Sequence, residues 1–100
     1  MTGSERAISD VIESIERVGS ETNVTLCGEL DVSTTAAVRE ILEHECARKP
    51  SRITLDLAAV DFVDSSALHT FVVANKQLAA HGGTLRIGGV SDSMYAFSFS

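Results

Sequence analysis

Two adjacent serines at the start of a predicted helix are the residues in this sequence best suited to chemistry. The segment 61–69 reads DFVDSSALH, so Asp64, Ser65 and Ser66 stand between an apolar run and a helical pattern. The first N–H groups of a helix lack partners within it, and capping by Asp64 or Ser65 would explain one of the two hydroxyls. The Ser66 hydroxyl could instead be a nucleophile, or accept a phosphoryl group whose charge the helix N-terminus stabilises.

A hydrolase triad of Asp64, Ser66 and His69 is the enzymatic interpretation of the same segment. Ser66 and His69 are three residues apart and share a helix face. However, the segment lacks the G-x-S-x-G turn that presents the serine in many hydrolases. A triad also needs its acid on the far side of the histidine, and Asp64 is on the near side. We therefore expect no catalytic residues and a protein that is not an enzyme.

The cysteines, histidines and glycines form no recognisable motif for a metal ion or a nucleotide. Cys27 and Cys46 stand in neither a CxxC nor a Cys/His spacing, and we expect two reduced, buried thiols. The three histidines are far apart in the sequence. The glycine pairs at 82–83 and 88–89 make neither a GxGxxG motif nor a P-loop. The sequence therefore predicts no metal and no cofactor.

Composition and charge narrow the class of protein. The chain has 100 residues, which suits one domain, and 44% of them are hydrophobic, as in globular proteins. Its net charge is −6, with 14 acidic and 8 basic residues, so basic protein surfaces are better partners than nucleic acid or anionic membranes. No apolar stretch approaches the ~20 residues of a membrane span, and no signal peptide is recognisable. We expect a cytoplasmic protein without membrane insertion.

Hydrophobic periodicity predicts the element order β-β-α-β-α-β. Residues 7–18 fit a strand or a short helix, and the polar turn after them favours a hairpin with a strand at 24–30. Further strands are predicted at 51–57 and 84–90, with an apolar connection at 58–63 after the first of them. Because helices separate the later strands, at least one right-handed parallel crossover is expected.

Two helices complete the predicted domain. The first covers 33–49, with Asp31 or Ser33 as its N-terminal cap and Pro50 as its stop. The second begins at the two serines and continues to about His81, where a glycine pair ends it. These helices would hold the serines at the end of the strand that precedes them.

Three segments together resemble the STAS domain, in particular the bacterial anti-sigma factor antagonists. They are GELD at 28–31, LDLAAVDFVDSSAL at 55–68 and GGTLRIGGVS at 82–91, of which the D-S-S-x-L sequence after a strand is the most specific. The resemblance covers about residues 8–95 and implies a single STAS-like domain over 1–100. It implies an α/β fold with a mixed four- to five-stranded sheet, helices mainly on one side, and a further C-terminal helix.

The resemblance also implies a protein-binding module. Members of this class bind an anti-sigma factor that is itself a serine kinase, and binding frees a sigma factor. The kinase phosphorylates the second serine of the pair, the phosphorylated protein releases its partner, and a phosphatase resets it. That serine corresponds to Ser66, with Ser65 as the second choice. The partner-binding surface would comprise Asp31, Asp64, Ser65, Ser66 and Ala67.

Two features depart from the family pattern. Ala67 stands where the family usually has glycine, and a side chain there would alter the approach of a kinase or reduce phosphorylation. The chain also ends at Ser100, within a region where family members continue, so its C-terminal end looks atypical or truncated.

The last ten residues fit either a helix or a strand in which three aromatic side chains alternate. Apolar sheet surface left open at this end would be covered by these aromatics or by self-association.

The two departures slightly favour an alternative function within STAS proteins. In that alternative, a subunit that is not phosphorylated docks on the ATPase of a transport complex.

Overall fold

The computed structural model describes residues 10–89, which form one mixed sheet and two helices. The elements are β1 (Ile12–Val18), β2 (Glu21–Leu30), α1 (Thr35–Ala47), β3 (Arg52–Val63), α2 (Ser65–Ala79) and β4 (Thr84–Gly88). The predicted α/β class and the order β-β-α-β-α-β are confirmed. The expectations for residues 7–9, for the last ten residues and for a further C-terminal helix lie outside the described residues.

The first two strands form an antiparallel hairpin around a two-residue turn. Val18 lies opposite Glu21, and Gly19 and Ser20 connect them. Gly19 has a φ of 62°, a left-handed conformation that glycine adopts without steric cost and that two-residue hairpin turns require at this position. The prediction of a strand for the first segment is therefore confirmed over the alternative of a short helix.

The other strand pairs are parallel, and each contains a helix as its crossover. The sheet order is β1-β2-β3-β4, so both crossovers move in the same direction across the sheet. Right-handed crossovers that move in one direction place their helices on one side of the sheet. In agreement, α1 and α2 pack against each other. Within residues 10–89 the opposite face of the sheet has no helix.

The third strand is longer than the sequence predicted. Residues 58–63 are not an apolar connection, because they pair with the end of β2: Ala59 lies opposite Cys27 and Val63 opposite Leu30. Two register shifts in this pair accommodate the extra residues of β3. As a result, β2 and β3 end side by side, and the loops that follow them meet at one edge of the sheet.

The first helix begins at Thr35, two residues later than predicted. Its N-cap position is Thr34, whose side chain makes no capping hydrogen bond. Asp31 instead accepts hydrogen bonds from the backbone N–H and the hydroxyl of Ser33, at 3.0 and 2.7 Å. The prediction that Asp31 or Ser33 caps α1 was therefore wrong, because both belong to the loop before the helix. The helix ends before Pro50, as predicted.

The core lies between the sheet and the two helices. The largest side chain of the core is that of Phe71 on α2, which is completely buried. Leu85 and Ile87 of β4 are partly buried and pack against this core. Cys46 belongs to this core, but Cys27 is only half-buried, which corrects the expectation of two buried thiols. Both cysteines are free. Neither described helix has the length and apolar character needed to cross a bilayer.

Candidate functional site

Asp64 caps the second helix by hydrogen bonds from its side chain to the backbone of the first helical turn. Its backbone is extended, and its Oδ1 accepts the N–H groups of Ser66 and Ala67 at 2.9 and 3.2 Å. The same oxygen accepts the Ser66 hydroxyl at 2.6 Å. The N–H of Asp64 donates to the Leu30 carbonyl at 3.0 Å, which joins the start of α2 to the end of β2. Of the two predicted caps, Asp64 is the one the structure uses.

The loop between β2 and α1 forms the other half of the site. Asp31 N donates to the Thr34 hydroxyl, and that hydroxyl donates to the Glu29 carbonyl, at 3.0 and 2.8 Å. The Thr35 hydroxyl donates to the Asp31 carbonyl at 2.7 Å. It also lies 3.1 Å from the Ser66 hydroxyl. Thr35 therefore links the loop that contains Asp31 to the serine at the start of α2.

Hydrogen bonds keep both carboxylates of this edge charged. The Ser66 hydroxyl is the main cause of the lowered pKa of Asp64, with further help from the N–H groups it caps. Partial desolvation and the negative charge of Asp31 act in the opposite direction. The pKa of Asp31 is also lowered, chiefly by the Ser33 hydroxyl. Two ionised carboxylates therefore share this edge with Ser66 at neutral pH, and that of Asp64 is in contact with it.

The five predicted site residues are gathered at this edge but differ in exposure. Ser65 is exposed, and within residues 10–89 its hydroxyl makes no hydrogen bond. Asp31, Asp64 and Ser66 are half-buried. Ala67 is completely buried, so its methyl group belongs to the core and does not project from the surface. The structure thus brings the loop aspartate and the two serines together on one accessible edge.

The histidine considered for a triad lies elsewhere. His69 lines a groove of about 90 Å³ between α1 and α2, together with Arg39, Leu42 and Thr70. Within residues 10–89 no hydrogen bond joins His69 to Ser66, whose hydroxyl donates to Asp64 instead.

The residues of 10–89 also offer no metal site, because no group of three His, Cys, Asp or Glu side chains among them is arranged to hold a metal ion.

Three residues near this edge were missed by the sequence analysis. Thr35 is 92% buried and contacts Ser66, but nothing in its local pattern distinguishes it from the threonine before it. Val32 is 78% exposed and Phe62 is 46% exposed. Phe62 was assigned to a connection, yet it is paired with Glu29 in the sheet. An apolar residue at an outward position of a strand would have been a signal for an interaction surface, had the strand been predicted.

Comparison with known proteins identifies the family. The sequence pattern of the STAS domain matches residues 9–97. The anti-sigma-B factor antagonists of Listeria monocytogenes and Listeria innocua are each 32% identical to this chain over 84 residues. The matched region spans 84% of this chain and 74% of each relative.

Solved structures share the fold. The anti-sigma factor antagonist SpoIIAA in its unphosphorylated form superposes with a TM-score of 0.71 and 21% identity, over 85% of this chain and 82% of that chain. The crystal structure of Mglu superposes with a TM-score of 0.69 and 20% identity, over 82% of this chain, which spans only 20% of Mglu. These identities show the fold alone. Together with the pattern match and the Listeria relatives, they establish that the chain belongs to the STAS domain family.

Proposed function

We propose that this chain is an anti-sigma factor antagonist whose binding is switched off by phosphorylation of Ser66. It sequesters an anti-sigma factor that has serine kinase activity, and a phosphatase restores the unmodified form. The observation that carries the proposal is the Ser66 hydroxyl, half-buried at the N-terminus of α2 and bonded to Asp64. The names of the Listeria relatives support the antagonist role, and a Bacillus SpoIIAA structure in the phosphorylated form supports the switch.

Phosphorylation would change the charge of this edge without refolding the domain. Transfer joins the Ser66 oxygen to the γ-phosphorus of ATP, releases ADP and gives the hydroxyl proton to the kinase. The hydrogen bond to Asp64 is then lost, and a group of about −1.5 to −2 charge takes its place. The Asp64 carboxylate already lies beside it, and the negative charge of Asp31 is near enough to act on the pKa of Asp64. A partner surface that fits a neutral hydroxyl would have to desolvate this cluster of charge, so its affinity falls.

The proposed partner surface is the edge formed by the loop after β2 and the start of α2. Asp31, Asp64, Ser65 and Ser66 supply its polar groups. Ala67 lies beneath them, and because its methyl group is buried it does not obstruct a kinase from the solvent side. The acidic balance of the chain suits a partner with a basic contact surface, which would also associate faster at low salt.

The test uses the chain as bait in a lysate of its own organism, with mass spectrometry of the bound proteins. Wild type, Ser66→Ala and Ser66→Asp are compared with Ser65→Ala and Ser65→Asp. The Ser65 variants place the same groups on the neighbouring serine of this surface, whose side chain does not bond to Asp64. We expect a kinase of the ATPase type on wild type and on both alanine baits, and Ser66→Asp should bind it at least about tenfold more weakly than wild type and more weakly than Ser65→Asp.

Two results would overturn parts of this proposal. Equal affinity of Ser66→Asp and wild type for the recovered partner would end the charge switch. Recovery of a transporter ATPase on all five baits would indicate that the chain is a constitutive docking subunit and not an anti-sigma factor antagonist. The recovered kinase, incubated with ATP and the bait, should phosphorylate wild type and Ser65→Ala but not Ser66→Ala.

A further inference from the structure

We propose that Thr35 is a positioning residue that relays the state of Ser66 to the loop between β2 and α1. Before modification its hydroxyl donates to the Asp31 carbonyl and lies in contact with the Ser66 oxygen, and after modification it turns to the phosphate. The inference rests on the proposed phosphorylation of Ser66 and adds how the modification reaches a second element. The contact between the two hydroxyl oxygens is 3.1 Å, and Thr35 is 8% exposed.

The number of protons in this contact sets the direction of its hydrogen bonds. Each hydroxyl has one proton, and the Ser66 proton is committed to Asp64 at 2.6 Å. The contact between Ser66 and Thr35 can therefore be a hydrogen bond only if Thr35 donates. The Thr35 proton has two acceptors within reach, the Ser66 oxygen at 3.1 Å and the Asp31 carbonyl at 2.7 Å. Thr35 is thus a donor that can move between two acceptors.

The Asp31 carbonyl can release this donor at low cost. Two backbone groups already donate to the same oxygen: the N–H groups of Thr34 and Thr35, at 3.0 and 2.8 Å. A carbonyl oxygen has only two lone pairs, so its loss of the Thr35 hydroxyl leaves it satisfied. Rotation of one hydroxyl, with no movement of the backbone, is sufficient for the exchange.

Within residues 10–89, the hydrogen bonds of this edge leave few other donors for a phosphate on Ser66. Asp64 already accepts the N–H groups of Ser66 and Ala67, which a free helix N-terminus would offer to an anion. The carboxylates of Asp31 and Asp64 repel the phosphate. Thr35 supplies a neutral hydroxyl in contact with the modified oxygen, and hydrogen bonds to a charged acceptor are the stronger ones. The Thr35 proton would therefore prefer the phosphate to the carbonyl.

The test installs phosphoserine at position 66 during translation, so that no kinase is needed. The phosphate is titrated by ³¹P NMR in the otherwise wild-type chain and in Thr35→Val, which keeps the shape of the side chain without its proton. Loss of a donor to the dianion should raise the second pKa of the phosphate by about 0.5 unit. Phosphorylation should also change the NMR chemical shifts of the backbone amides at residues 31–35. In Thr35→Val these changes should be less than half of those in the otherwise wild-type chain.

Two further variants separate positioning from packing. Thr35→Ser keeps the donor and should restore the wild-type titration. Thr70→Val removes another buried threonine hydroxyl, one that donates to the Ser66 backbone carbonyl at 3.1 Å rather than to its side chain, and should leave the titration unchanged. The thermal midpoint of each unmodified variant reports its folding, and Thr35→Ala replaces Thr35→Val if the latter does not fold.

An unchanged titration in Thr35→Val, or in Thr35→Ala where it replaces that variant, would overturn the inference. It would not affect the proposed function, which is judged from the affinity of the phosphoserine protein for the recovered partner. Conversely, an unchanged affinity would end the proposed switch, even if Thr35 does bond to the phosphate.

Discussion

The Ser66 hydroxyl donates to Asp64 Oδ1 across 2.6 Å, and the same oxygen caps the helix in whose first turn Ser66 lies. The residue proposed to change its charge is therefore bonded to the residue that satisfies the N-terminus of α2. Loss of that bond changes the charge and the hydrogen bonding of one surface edge, while the buried side of α2 keeps its packing through Phe71 and Leu78.

Asp64→Ala should destabilise the domain more than Asp61→Ala. Asp64 accepts two backbone N–H groups and one hydroxyl, and an alanine leaves those N–H groups without their cap. Asp61 is an exposed aspartate three residues earlier in the chain and serves as the matched control. We expect the thermal midpoint to fall by roughly 5 °C in Asp64→Ala and to change by about 1 °C or less in Asp61→Ala. Equal effects in calorimetry would contradict the role of the cap.

The contribution of Asp64 should depend on pH with a defined sign. The Ser66 hydroxyl, foremost among its partners, lowers the pKa of Asp64 from the ordinary value of 3.8. A group with a lowered pKa stabilises the fold above its unfolded pKa, and this stabilisation is lost as pH falls. The difference in thermal midpoint between wild type and Asp64→Ala should be full at pH 6 and should narrow below pH 3.8. A difference that grows on acidification would refute this.

The stability of the domain with a buried carboxylate at Glu45 should depend on Arg17. Glu45 is 1% exposed on α1 and accepts hydrogen bonds from Arg17 of β1 and from Thr22 of β2. Because Arg17 is itself 42% exposed, Arg17→Met should cost about 1–3 kcal/mol, below the loss for a fully buried pair. In urea denaturation Arg52→Met is the control, since its 3.7 Å pair with Glu21 is exposed on both sides and should contribute less than about 1 kcal/mol.

Acid should weaken the same buried contact. Burial alone would raise the pKa of Glu45, but the hydrogen bond and charge of Arg17, with His44 and Thr22, outweigh it, so the pKa is lowered from 4.5. By the sign of that shift, the stabilisation is present above pH 4.5 and is lost as pH falls. Urea midpoints of wild type and Arg17→Met should therefore converge in acid, and midpoints that stay equally far apart down to pH 2.5 would contradict this assignment.

Gly83→Ala should destabilise the turn after α2, whereas Gly88→Ala should not. A Cβ at Gly83 would lie 2.8 Å from the Pro50 carbonyl oxygen and 3.3 Å from Leu78, so the backbone would have to move. At Gly88 no atom of residues 10–89 lies within 4 Å of the added carbon. We expect a loss of about 1–3 kcal/mol for Gly83→Ala in urea denaturation and a change of less than about 1 kcal/mol for Gly88→Ala. Similar midpoints for both variants would argue against this close contact.

Two phenylalanines test the boundary between core and surface. Phe71 is completely buried, and Phe71→Ala should cost about 3–5 kcal/mol through lost burial and the cavity it leaves. Phe62 is 46% exposed, and Phe62→Ala should change stability by less than about 1 kcal/mol. Urea denaturation measures the free energy of unfolding of both variants. A large loss for Phe62→Ala would contradict the assignment of Phe62 to the surface.

Much of the architecture was predictable because its signals are local. Alternation of apolar residues in β2, the glycine in the hairpin turn and the apolar stripes of the helices each record which side of one segment is buried. The aspartate before the two serines is a local cap signal as well, and the structure uses it. The candidate site at Ser66 followed from these signals and from the family resemblance.

Other features depend on residues far apart in the chain, and only the tertiary structure decided them. Residues 58–63 are a strand because the end of β2 pairs with them, and Glu45 is tolerated in the core because Arg17 reaches it from another element. Thr35 contacts Ser66 only because parallel pairing ends β2 and β3 side by side. Periodicity reports the buried side of a segment but not which distant side chain will lie against it. The sequence by itself therefore determined the order of elements and narrowed the cap of α2 to Asp64 or Ser65, while the fold decided which residues surround the serine.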